Sequence, residues 1–396
     1  MMNFVNNYKY FFCFLACCLI LFNFDLWKYY PLYSNELFGD WTYIYNYYSC
    51  LNNLEIQIVT CESILQFDFV YPKIWLKIVK IIYPFFKESI YLFIFFYLII
   101  SFNFFKDLPK IYHFLFLFSP ISILLIQRGN NEILIFLLVF VFFQTLNYKK
   151  FKFFSVIPYI IASLLKIYPL SLVIIYFIEN FKKISLLKII VALVFLTIIY
   201  LFFNEFINIK NSYNVGKVTL VYSSKTIFFI TNFIFKNLNF NYQLFSTIGL
   251  IIFIYLSFKI KIKNFKSIKS DKEIAFLIGS AILVSNFFLN YSFEYRFTYI
   301  IFTFPFIFDL KNIIKKKIII YFIILIYSVL WFEFLIFYFK EIIQFNEIRS
   351  NQIDILNLKT SILGIIIIIK NIMYWIINFG LIVLSKNIIF NKLNKY

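Results

Sequence analysis

The chain has 396 residues, 62% of them hydrophobic, and sets 38 Lys and Arg against 19 Asp and Glu, a formal net charge of +19. With a mean hydropathy of +0.84, that composition excludes an ordinary soluble domain and predicts an all-α, polytopic membrane protein. In a soluble chain the charge would suggest nucleic acid. Here the lysines gather in short stretches between apolar runs, so they read as topology signals and no nucleic-acid partner is expected.

Apolar runs of spanning or near-spanning length lie at 9–27, 88–105, 111–126, 131–147, 153–165, 168–180, 185–205, 244–258, 273–290, 295–310, 318–339 and 360–385. They predict a single transmembrane domain, a helical bundle of about twelve spans, several of them short for a bilayer that needs ~20 residues. The first run has no small-residue cleavage site and reads as an uncleaved anchor; Cys13, Cys17 and Cys18 within it read as buried thiols. Residues 28–87 read as a structured first extracytoplasmic loop, and 206–243 as a second large outer loop. In the first, Cys50 and Cys61 can pair if the compartment is oxidising, or remain two free thiols. Lys73, Lys77 and Lys80 fall at i, i+4 and i+7. They predict either an amphipathic helix on the membrane surface or the start of the next span. The runs 153–165 and 168–180 meet at Tyr168-Pro169, as one broken helix or two short ones.

Alternating twelve spans puts the lysine clusters at 149–152, 182–183, 259–272, 311–317 and 386–395 on the same face as the N-terminus. By the positive-inside rule that face is cytoplasmic, and both termini lie there. Four polar groups then converge on the opposite face: the first loop, the knot Gln127-Arg128-Gly129-Asn130-Asn131-Glu132, the Lys166-Ile167-Tyr168-Pro169 corner, and Asn290 to Arg296.

The seven glycines are scattered, which leaves no glycine-rich phosphate loop, and the single histidine, His113, starts an apolar run where a structural role is the ordinary one. No Cys/His metal pattern occurs, so neither a metal nor another cofactor is expected. What remains is carboxylate, arginine, lysine and tyrosine chemistry. Asp40, between Gly39 and Trp41, suits a general base, and equally a cap for a short helix over 41–49. Arg128 and Lys166 suit phosphate, the arginine as a planar fork and the lysine as a compact charge. Gly129 permits a sharp turn or a close backbone approach. Asn130 suits a helix cap and Glu132 the first turn that follows. The plain alternative for this knot is an interhelical turn with a snorkelling arginine. Glu294 and Arg296 are two apart, so they do not face each other on one helix. Arg296 is either a second phosphate ligand or half of a structural ion pair.

Taken together, Ser119-Pro120, Arg128-Gly129-Asn130-x-acid and Lys166-Ile167-Tyr168-Pro169 resemble the glycosyltransferase 87 family, integral-membrane enzymes that use polyprenyl-phosphate mannose. Gly39-Asp40, Tyr71-Pro72 and Tyr295-Arg296 fit the same resemblance, which covers roughly residues 9–310. It implies a C-type glycosyltransferase fold in a bacterial inner membrane. The donor would be a polyprenyl-phosphate sugar and the acceptor a lipid or glycan. Asp40 would be the catalytic base, Arg128, Lys166, Tyr168 and Arg296 would hold the donor phosphate and lipid, and Gly129, Asn130, Glu132, Tyr71, Glu294 and Tyr295 would support them. The family pattern has aspartate where this chain has Glu132. The rival readings are a flippase or transporter for a lipid-linked sugar, and an O-antigen-type polymerase or ligase.

Overall fold

The computed structural model describes residues 38–54, 61, 71–104, 108–178, 186–212, 221–234, 241–262, 270–289, 292–311, 316–342 and 358–394. The expected first span, with its three cysteines, lies outside them. In chain order the α-helices are α1 (Gly39–Leu54), α2 (Ile74–Ile82), α3 (Phe86–Phe104), α4 (Lys110–Leu117), α5 (Pro120–Gln127), α6 (Glu132–Asn147), α7 (Val156–Leu165), α8 (Val173–Ile178), α9 (Leu186–Ser212), α10 (Thr226–Ile234), α11 (Tyr242–Lys259), α12 (Ser270–Leu289), α13 (Phe304–Leu310), α14 (Lys316–Ile342) and α15 (Leu358–Asn394). 3₁₀ segments join several of them, at Tyr83–Phe85, Lys149–Ser155, Tyr168–Leu172 and Glu294–Phe302. Strands β1 (Val221–Tyr222) and β2 (Ser292–Phe293) pair antiparallel, with Val221 opposite Phe293 and Tyr222 opposite Ser292.

The chain is an all-α integral membrane protein. Among the described residues, five helical stretches are long and apolar enough to cross a bilayer, Ile74–Phe104, Tyr242–Lys259, Asp271–Leu289, Lys316–Ile336 and Ile362–Leu393, and α4 with α5 makes a sixth if counted as one bent span. Glu132–Asn147, Tyr168–Ile178 and Leu186–Tyr200 are apolar but shorter. Large apolar side chains stand exposed along these elements, among them Leu92, Leu193, Leu196, Ile251, Ile324 and Ile365. In water such a surface would drive association; against lipid tails it carries no penalty.

Where an expected apolar run is divided or shortened, the causes are local. Pro120 begins α5 after Ser119, which is extended and accepts a hydrogen bond from Ser122 N–H at 3.4 Å, so α4 and α5 meet at 52°. Tyr168-Pro169 likewise separates α7 from α8 with a 3₁₀ turn. The expected span 295–310 is a nine-residue 3₁₀ segment, every residue buried, followed by the seven-residue α13. Gly279 of α12 lets that segment approach. A Cβ there would stand 2.9 Å from Phe302 Cβ and 3.0 Å from the Tyr299 carbonyl oxygen.

Both expected loops contain helices. Within 28–87, α1 is pinned by Trp41, which stacks on Phe86 with ring centroids 4.3 Å apart and donates its indole N–H to the Phe86 carbonyl at 2.6 Å. The lysine-bearing stretch is a short helix continuous with the span that follows. On α2, Trp75 and Val79 are buried while Lys73, Lys77 and Lys80 are exposed, and the helix runs through one 3₁₀ turn into α3. Within 206–243, α9 persists to Ser212, β1 follows, and α10 packs on α15. A helix of nine residues is too short to register as a span yet long enough to bury a face.

Candidate active site

The polar knot between α5 and α6 is a helix stop. Asn130 N–H reaches back to the Leu125 carbonyl and Gly129 N–H to the Ile126 carbonyl, while Gly129 takes the left-handed conformation with φ +53°. This pattern of 6→1 and 5→2 bonds ends a helix and favours glycine at its turning point. Gly129 is needed for a second reason, since a Cβ there would lie 2.9 Å from Phe38 Cα and 2.8 Å from Phe38 Cβ. Against this turn lies the entry to α1. Phe38 N–H donates to the Gln127 carbonyl at 2.7 Å and Asp40 N–H to the Arg128 carbonyl at 3.0 Å.

That backbone pairing brings the side chains together. Asp40 Oδ1 meets Arg128 Nη2 at 2.6 Å, and Asp40 Oδ2 accepts from the Asn130 amide. Asn130 is oriented by its other end, whose Oδ1 accepts from Glu132 N–H at 2.9 Å. Asn130 thus satisfies one open donor at the start of α6. Asp40 lies in the first turn of α1, and the bonds its carboxylate makes run to the knot. Both partners keep a route to solvent, with side-chain exposures of 21% for Arg128 and 12% for Asp40.

Behind this pair stands Glu132, 1% exposed. Its Oε1 accepts from Arg296 Nε at 2.8 Å and faces Lys166 Nζ at 3.7 Å; its Oε2 accepts from the Tyr168 hydroxyl. Tyr299 closes the ring, with its hydroxyl 2.9 Å from that of Tyr168 and 3.5 Å from Glu132 Oε2. The Arg296 guanidinium lies over the Tyr168 ring at 5.3 Å and Lys166 over the Tyr71 ring at 5.0 Å. Lys166 is extended, just past the end of α7, where Trp75 donates its indole N–H to the Leu165 carbonyl at 3.3 Å and ties α2 to this corner. Tyr71 and Tyr295 both lie close enough to Arg128 to act on its charge.

Among the described residues, Asp40 pairs with Arg128 while Glu132 faces both Lys166 and Arg296, two acids against three cations. Arg296 is bound closely, by Glu132 and by Asn286 at 3.4 Å. Lys166 holds Glu132 more loosely and keeps 10% of its side chain exposed. Burial pulls the Lys166 ammonium down to about 8, against the pull of Glu132. Counted over the described residues, the cluster has room for one further anionic charge, and Lys166, held loosely by Glu132, is placed to meet it.

Asp40, Arg128, Gly129, Asn130, Glu132, Lys166, Tyr168, Arg296, Tyr71 and Tyr295 all meet here. Glu294 does not, which corrects its place among the supporting residues. Its carboxylate contacts Lys370 of α15, beside Glu333 of α14. With three residues per turn, positions two apart in a 3₁₀ segment face different sides, so Arg296 and Glu294 point into different clusters. The same geometry puts Tyr299, three on from Arg296, on the Arg296 side. Tyr299 and Asn286 are the members that sequence reasoning missed. A 3₁₀ register over 294–302 would have identified Tyr299, but apolar periodicity does not reveal it. Cys50 and Cys61 are disulfide-bonded, with Cα atoms 6.0 Å apart, so the pair tethers the end of α1. His113 is buried with its ring against Phe102.

A cavity of about 470 Å³ lies elsewhere, between Asn103, Gln144, Asn147, Asp271, Lys272 and neighbouring aromatic rings. Asn147 ends α6 whereas Glu132 begins it, and 16 residues of helix make about 24 Å. That cavity is remote from the Glu132 cluster. Comparison with known proteins finds no family model, no curated protein and no solved structure that matches this chain.

Proposed function

We propose that the protein is an integral-membrane glycosyltransferase. It moves a hexose, on the family resemblance mannose, from a polyprenyl-phosphate donor to a lipid or glycan acceptor. The observation that carries this reading is the convergence of a solvent-reachable carboxylate, Asp40, with a cluster in which, among the described residues, three cations face two acids. A polyprenyl-phosphate sugar is a phosphodiester with one negative charge, which matches that excess.

Asp40 takes the proton from the acceptor hydroxyl as its oxygen attacks the anomeric carbon. The bond from that carbon to the phosphate oxygen breaks, and the electron pair leaves with the polyprenyl phosphate, in one inverting displacement. Lys166 meets the phosphate and stabilises the second charge it gains on leaving. Arg128, about a fifth exposed beside Asp40, shares its fork between the carboxylate and the donor. Arg296 positions Glu132, and Tyr168 orients the same carboxylate. The lysine face of α2 lies along the lipid's route from the bilayer.

The topology that goes with this reading has twelve spans and both termini in the cytoplasm of a bacterial cell. It puts the site at the extracytoplasmic face of the inner membrane, as the lysine-rich stretches of the sequence suggest. The test is transfer by the purified protein from radiolabelled polyprenyl-phosphate mannose to total cell lipids. Product should form, and Asp40→Asn should lower its rate by about 10²–10⁴-fold, the range for loss of a general base, with folding intact. Near-normal transfer by that variant refutes the role of Asp40. Movement of the donor across vesicles without bond cleavage, or turnover of lipid-linked oligosaccharides alone, refutes the reading itself in favour of a flippase or a polymerase.

A further inference from the structure

A second set of ionisable groups lies inside the bundle, on elements that the proposed chemistry does not use. Lys370 of α15 contacts Glu294 Oε1, and its Nζ lies 2.6 Å from Glu333 Oε1. Glu294 and Lys370 are fully buried and Glu333 is 2% exposed. We propose that Glu294 and Glu333 hold one proton between them, so that with Lys370 they form an electrically neutral proton-binding site buried inside the helix bundle.

Two independent observations lead there. The first is the count of charges. Two carboxylates share one ammonium, and neither glutamate pairs with another cation among the described residues. An uncompensated charge at such depth is costly enough that a group with a proton within reach takes it up. The second is hydrogen bonding. Glu294 Oε2 and Glu333 Oε2 are both buried without a donor. Two carboxylates can only accept, so a proton between them supplies the missing donor as it cancels the excess charge.

The surroundings offer no substitute. Tyr374 of α15 stands beside both carboxylates with its hydroxyl within reach of Glu294, but a neutral phenol can supply a hydrogen bond there without cancelling the excess charge. Tyr222 of β1 packs edge-on against the Tyr374 ring and sends its own hydroxyl to Asn378 and the Leu283 carbonyl. Arg296, in the same 3₁₀ segment as Glu294, is turned to Glu132. A metal cation is a poorer occupant than a proton, because the Lys370 ammonium already sits against both carboxylates. The proton thus sets the charge of the wall from which Arg296 projects.

The test is infrared spectroscopy of the purified full-length protein in lipid nanodiscs, with ¹³C-glutamate labelling to assign the band. The wild-type protein should show a protonated glutamate carbonyl band at pH 7. Glu294→Gln and Glu333→Gln should each abolish it, since either leaves one carboxylate for one ammonium. Their thermal stability supplies a second reading. Each single variant should melt near the wild type, whereas Glu294→Gln with Glu333→Gln, which strands Lys370, should melt well below it. No glutamate carbonyl band in the wild type overturns the proposal. So does a band that survives both single substitutions, or one that sodium, but not potassium, removes. None of these readouts depends on sugar transfer, so this inference and the proposed function can fail separately.

Discussion

Glu132 is the acid whose loss should be felt most. Replacing it with glutamine keeps the side-chain length and an oxygen for Tyr168, but removes the carboxylate that, among the described residues, pairs with both Arg296 and Lys166. Those two cations have side-chain exposures of just 7% and 10%, so water cannot replace the carboxylate. Breaking a buried pair from one side costs about 3–5 kcal/mol. Glutamine recovers part of this through its amide oxygen, so the expected loss is about 3 kcal/mol, the low end of that range. The assay is denaturant unfolding in detergent, read as a double-mutant cycle with Arg296→Met. Glu132→Gln alone should be strongly destabilised, and adding Arg296→Met should restore stability, because the stranded arginine is then gone. Additive losses, or a Glu132→Gln protein as stable as the wild type, would refute the view that these charges form one coupled unit.

Gly129→Ala should cost about 1–2 kcal/mol from the left-handed conformation alone. It should cost more through the contact with Phe38, which forces apart the backbone bonds holding Asp40 beside Arg128. Transfer activity should fall further than stability does, and equal activity would show that the two segments need not touch. Lys166 gives the pH dependence. With its folded-state value drawn down to about 8, it is charged at pH 7 and loses its proton as the pH rises through 8, so the KM for the lipid donor should climb above that point. Arginine stays protonated, so Lys166→Arg should move the rise to higher pH. A donor KM flat from pH 7 to 9 would remove Lys166 from the phosphate site. The sign for stability is opposite. The unfolded chain holds the lysine proton up to about 10.4, so between these values it binds more protons than the folded protein, and stability rises with pH.

Hydropathy alone determined that this is a helical membrane protein, because the cost of putting polar surface into lipid depends on composition and not on which helices meet. The sequence also made most of the cluster legible residue by residue. Acids and bases at the ends of apolar runs need partners, and Asp40, Arg128, Glu132 and Lys166 are such residues. It was less informative about spans. A break at Pro120 divides the run 111–126, which hydropathy counts whole, and a 3₁₀ segment occupies much of 295–310, since the period of burial rather than its amount sets the secondary structure.

What only the tertiary structure decided is the pairing. Asp40 and Arg128 are 88 positions apart and Glu132 and Arg296 are 164, and no local pattern links residues at such distances. Charge balance likewise belongs to a cluster and not to a residue. One face of the segment 294–302 supplies a cation to a group with positive charge to spare, and another supplies an acid to a group with negative charge to spare. Which neighbour each side chain meets follows from helix pitch and from the close approach that Gly129 and Gly279 allow, and those are fixed only when the elements pack.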